Sequence, residues 1–66
     1  MTEAYLLKRI AYFAKRIRAT RDHRDTPQRK RAYTLAQNLH RQSRRQLVCL
    51  RATGSIKGWS EYKLDE

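Results

Sequence analysis

The sequence is poor in the residues that build disulfide-rich, metal-stapled or membrane-spanning proteins. It has one cysteine, Cys49, among 66 residues, which excludes an internal disulfide framework and a cysteine-based zinc site. It has no long unbroken run of apolar residues, so neither a membrane span nor the apolar core of a signal peptide is expected. The single thiol suits a reducing compartment, and we expect a cytoplasmic protein.

Chemistry-bearing residues are few as well, and a chain this short rarely builds a walled pocket. His23 lies beside Asp22 and Asp25, which resembles a hydrolytic or metal-binding trio. Neighbouring residues rarely converge on one atom without a scaffold, however, and no nucleophile accompanies them. We therefore expect a protein that is not an enzyme, with no catalytic residue, no bound metal, no cofactor and no small-molecule substrate.

Proline and glycine are scarce, and their positions divide the chain. Only Pro27, Gly54 and Gly58 occur. Before the proline, apolar residues recur at the spacing of an amphipathic helix, at Leu6, Ile10, Phe13 and Ile17. Thr2 is suited to cap the start of this helix. The pattern predicts a first helix over about 3–20.

A second, longer helix is predicted between Thr26 and Gly54. Thr26 followed by Pro27 is a helix-start signal, because a capping hydroxyl precedes a proline whose missing N–H would be unpaired anyway. Gly54 suits a C-terminal cap. The apolar stripe of this segment comprises Ala32, Leu35, Ala36, Leu39, Ser43, Leu47 and Leu50. The second helix should therefore cover about 27–53.

A short connection makes neighbouring helices antiparallel, so residues 1–53 are predicted to form an all-α, two-helix hairpin. Each apolar stripe is wider than one partner helix can bury, and no disulfide compensates. We therefore expect a homodimer that forms a four-helix bundle; a hairpin that folds only on another partner is the alternative. Candidates for the dimer seam are Leu7, Ala11, Ala14, Ala36, Leu47 and Leu50.

The last thirteen residues differ in character from the helices. Residues 54–66 include both remaining glycines, three acidic residues and the aromatic side chains of Trp59 and Tyr62, without a helical period. We predict a flexible tail, since terminal segments are often poorly ordered unless tied down. Its aromatic side chains either fold back on the hairpin or anchor the protein to another molecule.

Acidic residues are few and unevenly placed. Sixteen Lys and Arg against six Asp and Glu give a net charge of +10, and no acidic residue lies between Thr26 and Ser60. Such a charge on two rigid helices favours a polyanionic partner, and guanidinium groups suit phosphate oxygens. The candidate residues for contact with nucleic acid or an acidic protein are Lys8, Arg9, Lys15, Arg16, Arg29, Lys30, Arg31, Arg41, Arg44 and Arg45.

Two resemblances point in the same direction. The segment 41–46, Arg-Gln-Ser-Arg-Arg-Gln, resembles the arginine-rich RNA-binding helices of some viral proteins. The size, the charge, the hairpin pattern of 1–53 and the aromatic tail together resemble the small helical accessory proteins that temperate bacteriophages express early in infection. That second resemblance implies a non-enzymatic regulator that binds a host or phage component, in the host-cell cytoplasm if the chain is phage-encoded.

Two functional hypotheses follow from these features. The first is a regulatory module whose basic helices contact nucleic-acid phosphates with little sequence preference, because base reading by a helix-turn-helix needs a shorter turn and a third helix. The second is a protein–protein adaptor or inhibitor, in which the same cations steer the chain onto an acidic protein and Trp59 and Tyr62 anchor it. The sequence leaves DNA, RNA and protein open as partners.

Overall fold

The computed structural model describes residues 2–61, and this part of the chain forms helices and turns but no strand. Helix α1 spans Glu3–Arg21 and helix α2 spans Pro27–Thr53, and a short 3₁₀ helix follows at Trp59–Glu61. The prediction of an all-α helical hairpin is confirmed. Within the described range, no helix combines the length and the apolar character needed to cross a membrane.

Local capping explains where both long helices begin and where α2 ends. The Thr2 hydroxyl accepts a hydrogen bond from the Tyr5 N–H at 3.2 Å, and the Thr26 hydroxyl accepts one from the Arg29 N–H at 3.2 Å. Each bond satisfies one of the N–H groups that lack a partner in the first turn of a helix. At the other end of α2, Gly54 has a φ of 80°, a left-handed conformation that glycine adopts without steric cost.

An ion pair joins the two ends of the antiparallel hairpin. Arg51, near the end of α2, donates to the Glu3 carboxylate at the start of α1 from Nε at 2.8 Å and from Nη2 at 2.7 Å. Both side chains are at least half exposed, so the pair contributes at most about 1 kcal/mol to stability. Its main effect is to hold the start of α1 beside the end of α2.

The core between the two helices is small. The buried apolar side chains between them are Leu6, Ala36 and Leu47, and the fourth buried apolar side chain of residues 2–61, Cys49, lies beneath the chain that follows α2. Ser43 is fully buried with them, and its hydroxyl donates to the Leu39 carbonyl at 2.8 Å. A serine is therefore tolerated in the core because the backbone of its own helix satisfies its hydroxyl.

Much of each apolar stripe remains uncovered. In α1, Leu6 is fully buried, whereas Ile10, Phe13 and Ile17 are only partly buried. In α2, Leu35 keeps 59% of its surface exposed although it belongs to the predicted stripe. A single hairpin therefore covers the middle of each stripe and leaves the edges in contact with water.

The candidate dimer seam needs a correction. Ala36 and Leu47 were placed on it, but both are buried, and only 4% and 7% of their surfaces are exposed. They lie on the same side of α2 as the buried Ser43, because spacings of seven and four residues bring side chains back to one face of a helix. A second copy cannot reach these two residues while the hairpin is closed.

Residues 54–61 fold back on the C-terminal half of α2. The Cys49 thiol is fully buried beneath them and is positioned to donate to the Ser55 carbonyl at 3.2 Å or the Lys57 carbonyl at 3.4 Å. Gly58, with a φ of 80°, turns the chain again before the 3₁₀ helix. The return of Trp59 to the hairpin is thus observed, while the flexibility predicted for 54–66 stays a prediction.

Candidate nucleic-acid interface

The predicted contact residues lie on the outer faces of the two helices. Seven of the ten are exposed, and the remaining three, Arg9, Arg44 and Arg45, are partly buried. Exposure on rigid helices is what phosphate contact requires, because the charged head groups must reach a ligand outside the fold. The ten residues nevertheless fall into separate groups with different surroundings.

Few of these cations are neutralised by the acidic residues of the described chain. Asp25 accepts a hydrogen bond from Arg29 Nη1 at 2.8 Å, and this bond lowers the pKa of the Asp25 carboxyl below its ordinary value. Asp22 lies 3.9 Å from Arg21, a long and exposed contact. Arg29 is therefore less available for a phosphate than the sequence suggests, since it already holds a carboxylate.

The first hollow lies where the connection between the two helices, residues 22–26, meets the start of α2. It is lined by Arg24, Lys30, Tyr33, Thr34 and Gln37. The Arg24 guanidinium lies 4.8 Å from the centre of the Tyr33 ring, and the Tyr33 hydroxyl accepts a hydrogen bond from Gln37 Nε2 at 3.1 Å. Tyr33 therefore supports Arg24 at the rim, and its ring is already covered on one side by a cation.

A second hollow continues from the first along α2. Its lining comprises Ile17, Gln37, His40, Arg41 and Arg44. Gln37 lines both hollows, so they adjoin along α2 and are together called here the basic groove. From Lys30 to Arg44 the groove follows about 21 Å of helix, at a rise of ~1.5 Å per residue. Among residues 2–61, no acidic side chain lines it.

His40 in the basic groove is held in its neutral form. Partial burial lowers the pKa of its imidazole below the ordinary 6.5, and the positive charge of Arg44 lowers it further. The imidazole is therefore a polar, uncharged group between cations at neutral pH. It becomes a further cation when a bound anion or acid favours its protonation.

The fold-back of residues 54–61 creates a third hollow on the outer side of α2. This Trp59 hollow has a volume of about 200 Å³ and is lined by Asn38, Arg41, Gln42, Arg45 and Trp59. Arg41 also lines the basic groove, so the two surfaces adjoin at this residue. The hollow thus brings together members of two predicted features, the arginine cluster and the aromatic tail. Tyr62, the other predicted tail anchor, lies outside the described residues.

The cations of α1 have a different environment. Lys8 and Arg9 line a shallow surface with aromatic side chains, and the Arg9 guanidinium lies 5.8 Å and 5.7 Å from the ring centres of Tyr5 and Phe13. Arg16 lines a groove between the helices, called here the apolar groove. Its other lining residues are Tyr12, Phe13, Ala32, Leu35, Ala36 and Leu39. Lys8, Arg9 and Arg16 of α1 therefore lie beside aromatic and apolar side chains, whereas the cations in the hollows of α2 lie beside amide side chains.

Sequence reasoning missed the amide side chains of the site. Gln37, Asn38 and Gln42 line the hollows beside the predicted arginines. Asn38, Gln42 and Arg45 follow one another at spacings of four and three, which places them on one face of a helix. That spacing was visible in the sequence, but the return of Trp59 to the same face was not.

The loop trio has no comparable surroundings. His23, Asp22 and Asp25 are exposed, and among residues 2–61 no group of three or more His, Cys, Asp or Glu side chains could hold a metal ion. Cations and polar side chains gather instead in the basic groove and the Trp59 hollow. Comparisons with protein-family models, curated proteins and solved structures found no match to this chain.

Proposed function

We propose that the protein is a non-enzymatic regulatory module that binds nucleic-acid phosphates along the basic groove. The observation that carries this proposal is the continuity of the groove, whose lining has several cations and no acidic residue among 2–61. Guanidinium and ammonium groups grip phosphate oxygens, and displacement of counterions drives the association. Its length of about 21 Å, from the helical rise, allows several phosphates to be contacted at once.

Little sequence preference is expected from the groove. Contacts to phosphates set position and affinity, whereas base edges carry the sequence information. The two-helix hairpin lacks the third helix that supports a recognition helix in a helix-turn-helix, at least within residues 2–61. The groove is thus suited to the backbone of a nucleic acid.

Salt dependence tests this proposal. About four groove cations should give a slope of log K against log salt near −4 for duplex DNA. Reversing the charge of Lys30 and Arg41 together should weaken binding to all sequences and make that slope shallower by about 2. The matched control reverses Lys8 and Lys15, two exposed cations of α1. An equal loss for both double variants would show that net charge alone, and not the groove, determines binding.

A protein–protein adaptor is the second candidate, and the apolar groove favours it. Tyr12 and Leu35 keep 57% and 59% of their surfaces exposed beside the partly buried Phe13. Exposed apolar surface with a charged rim is common at sites of protein association. Binding of a protein that survives nuclease treatment, and that is lost in Leu35→Lys but kept in the Lys30/Arg41 double variant, would support this candidate over the first.

The biological setting is also a proposal. The charge, the size and the hairpin support a regulator of the kind that the bacteriophage resemblance implies, acting in the cytoplasm on a host or phage component. The exposed apolar groove supports self-association, because an isolated hairpin leaves Leu35 in water. The dimer is proposed to form on the exposed Tyr12 and Leu35 of this groove, since Leu47 and the groove's own Ala36 are buried.

A further inference from the structure

The Trp59 hollow combines three kinds of side chain. An indole ring, two amides and two guanidinium groups line it, from Trp59, Asn38, Gln42, Arg41 and Arg45. We propose that this hollow binds one unpaired base of a single-stranded nucleic acid, with the adjoining phosphate on the two arginines. The inference rests on the proposed function and specifies it: the groove binds backbone, and the hollow captures a base.

Each kind of side chain has a role in such a site. Indole rings stack on bases, and this contact is tolerant of sequence because every base has a flat face. Amide side chains pair with the donors and acceptors on base edges, as Asn38 and Gln42 would do from the same face of α2. The guanidinium groups of Arg41 and Arg45 suit the phosphate next to the stacked base.

Arg45 supplies an independent sign that the site is incomplete. Its Nε is buried, and within the described chain it makes no hydrogen bond. A buried donor without a partner is unfavourable, so native proteins usually provide one from protein, solvent or ligand. Because Arg45 lines the hollow, a base edge or a phosphate oxygen bound there would offer its guanidinium group a hydrogen-bond acceptor.

The hollow is also preorganised. Trp59 is partly buried, so its ring is held in place and still reachable. The chain that leads to it turns at the left-handed Gly54 and Gly58, and its Ser55 and Lys57 carbonyls lie 3.2 Å and 3.4 Å from the Cys49 thiol. Residues ordered before binding lose less entropy when the ligand arrives.

Size and position favour a strand over a free small molecule. A volume of about 200 Å³ is below the ~300–1,000 Å³ typical of pockets that enclose a whole drug-sized ligand. Such a hollow holds one planar ring and leaves the rest of the molecule outside. Since Arg41 lines both surfaces, a strand whose phosphates follow the basic groove is led directly to the hollow.

The experiment uses intrinsic fluorescence, because Trp59 is the only tryptophan of the chain and reports on this hollow alone. The probes are a short oligothymidylate single strand, a DNA duplex of equal length, and an abasic strand with the same number of phosphates. We expect the oligothymidylate to quench Trp59 and the abasic strand to bind without quenching. Trp59→Ala should weaken single-strand binding about tenfold and leave duplex binding nearly unchanged.

Two further variants keep the result interpretable if Trp59→Ala loosens the segment. Trp59→Phe retains a stacking ring and should recover most of the single-strand affinity. The pair Asn38→Leu and Gln42→Leu leaves the tryptophan in place and should lower single-strand affinity several-fold, with quenching reduced. Tyr12→Ala, which removes an exposed ring in the apolar groove, should change neither signal.

The outcomes separate the two proposals. If neither the single strand nor the duplex binds to the protein at low salt, both the proposed function and the base site are wrong. If both bind but Trp59 fluorescence is unchanged by oligothymidylate, or if Trp59→Ala weakens both equally, the base site is overturned while phosphate binding stands. Quenching by the abasic strand as strong as that by oligothymidylate would also overturn it.

Discussion

At the residue scale, adjacent side chains of one helix have very different environments. Leu6 is fully buried between the helices, whereas its neighbour Leu7 keeps 47% of its surface exposed. One step along an α-helix rotates the side chain by about 100°, which is enough to move it from the core to the edge. In a core with so few buried apolar residues, each of them carries an unusually large share of the stability.

Leu6→Ala should therefore unfold the hairpin or come close to it. Deleting a fully buried leucine side chain costs about 2–5 kcal/mol, and so small a core has little stability in excess. Urea denaturation followed by circular dichroism measures the loss. Leu7→Ala is the matched control and should cost less than about 1 kcal/mol. Similar costs for the two variants would contradict the assigned faces of α1.

His40 makes stability depend on pH in a defined window. The pKa of its imidazole is lowered in the folded protein by burial and then by Arg44, from an ordinary 6.5. The unfolded chain therefore binds more protons as the pH falls through about 6.5, and stability present above that pH is lost below it. Urea midpoints at pH 7.5 and 5.5 should differ less in His40→Gln than in the parent chain.

The control for that experiment is the other histidine. His23→Gln changes an exposed residue of the connection, which packs against neither helix core. It should leave the difference between the two midpoints as it is in the parent chain. If His23→Gln and His40→Gln flatten the pH dependence equally, the effect does not arise from the burial of His40.

At the element scale, the sequence predicts the two long helices well and the fold-back poorly. The helix starts could be predicted because Thr2 and Thr26 are capping residues followed by regular apolar periods, and Gly54 provides a stop. The position of residues 54–61 could not be predicted, since it depends on two left-handed glycines and on contacts of backbone carbonyls with the Cys49 thiol. No periodic pattern encodes such contacts. The Trp59 hollow, built from this segment, was accordingly unforeseen.

Gly54→Ala should loosen the fold-back without melting the helices. A Cβ at this position meets nothing within 4 Å, so the cost is the left-handed backbone itself, about 1–2 kcal/mol. Because residues 55–57 cover the sole thiol, Cys49 should react faster with a thiol reagent while the helical signal is retained. Ala19→Gly, at an exposed position of α1, weakens a helix instead and should raise the thiol rate less.

At the scale of the whole molecule, high charge and a small core act against each other. A net charge of +10 on 66 residues produces self-repulsion, which both keeps copies apart and attracts polyanions. The edges of the apolar stripes, with Leu35 and Tyr12 exposed, favour association. The balance between these two effects depends on ionic strength, since salt screens the repulsion over a Debye length of roughly 10 Å at 0.1 M.

Self-association and nucleic-acid binding should therefore respond to salt in opposite directions. Screening of like charges strengthens contact between two copies through the apolar groove, whereas it weakens phosphate binding along the basic groove. Sedimentation equilibrium at micromolar concentration should show a mass approaching twice the 7.9 kDa of the chain, and the approach should be closer at high salt than at low salt.

Leu35→Lys should give a monomer at every salt concentration, because it places a charge in the contact between the two copies. Val48→Lys, which changes an exposed apolar residue outside both this groove and the predicted seam, should remain dimeric. A parent chain that stays monomeric at high salt would remove the dimer from the proposal and leave the apolar groove to a different protein.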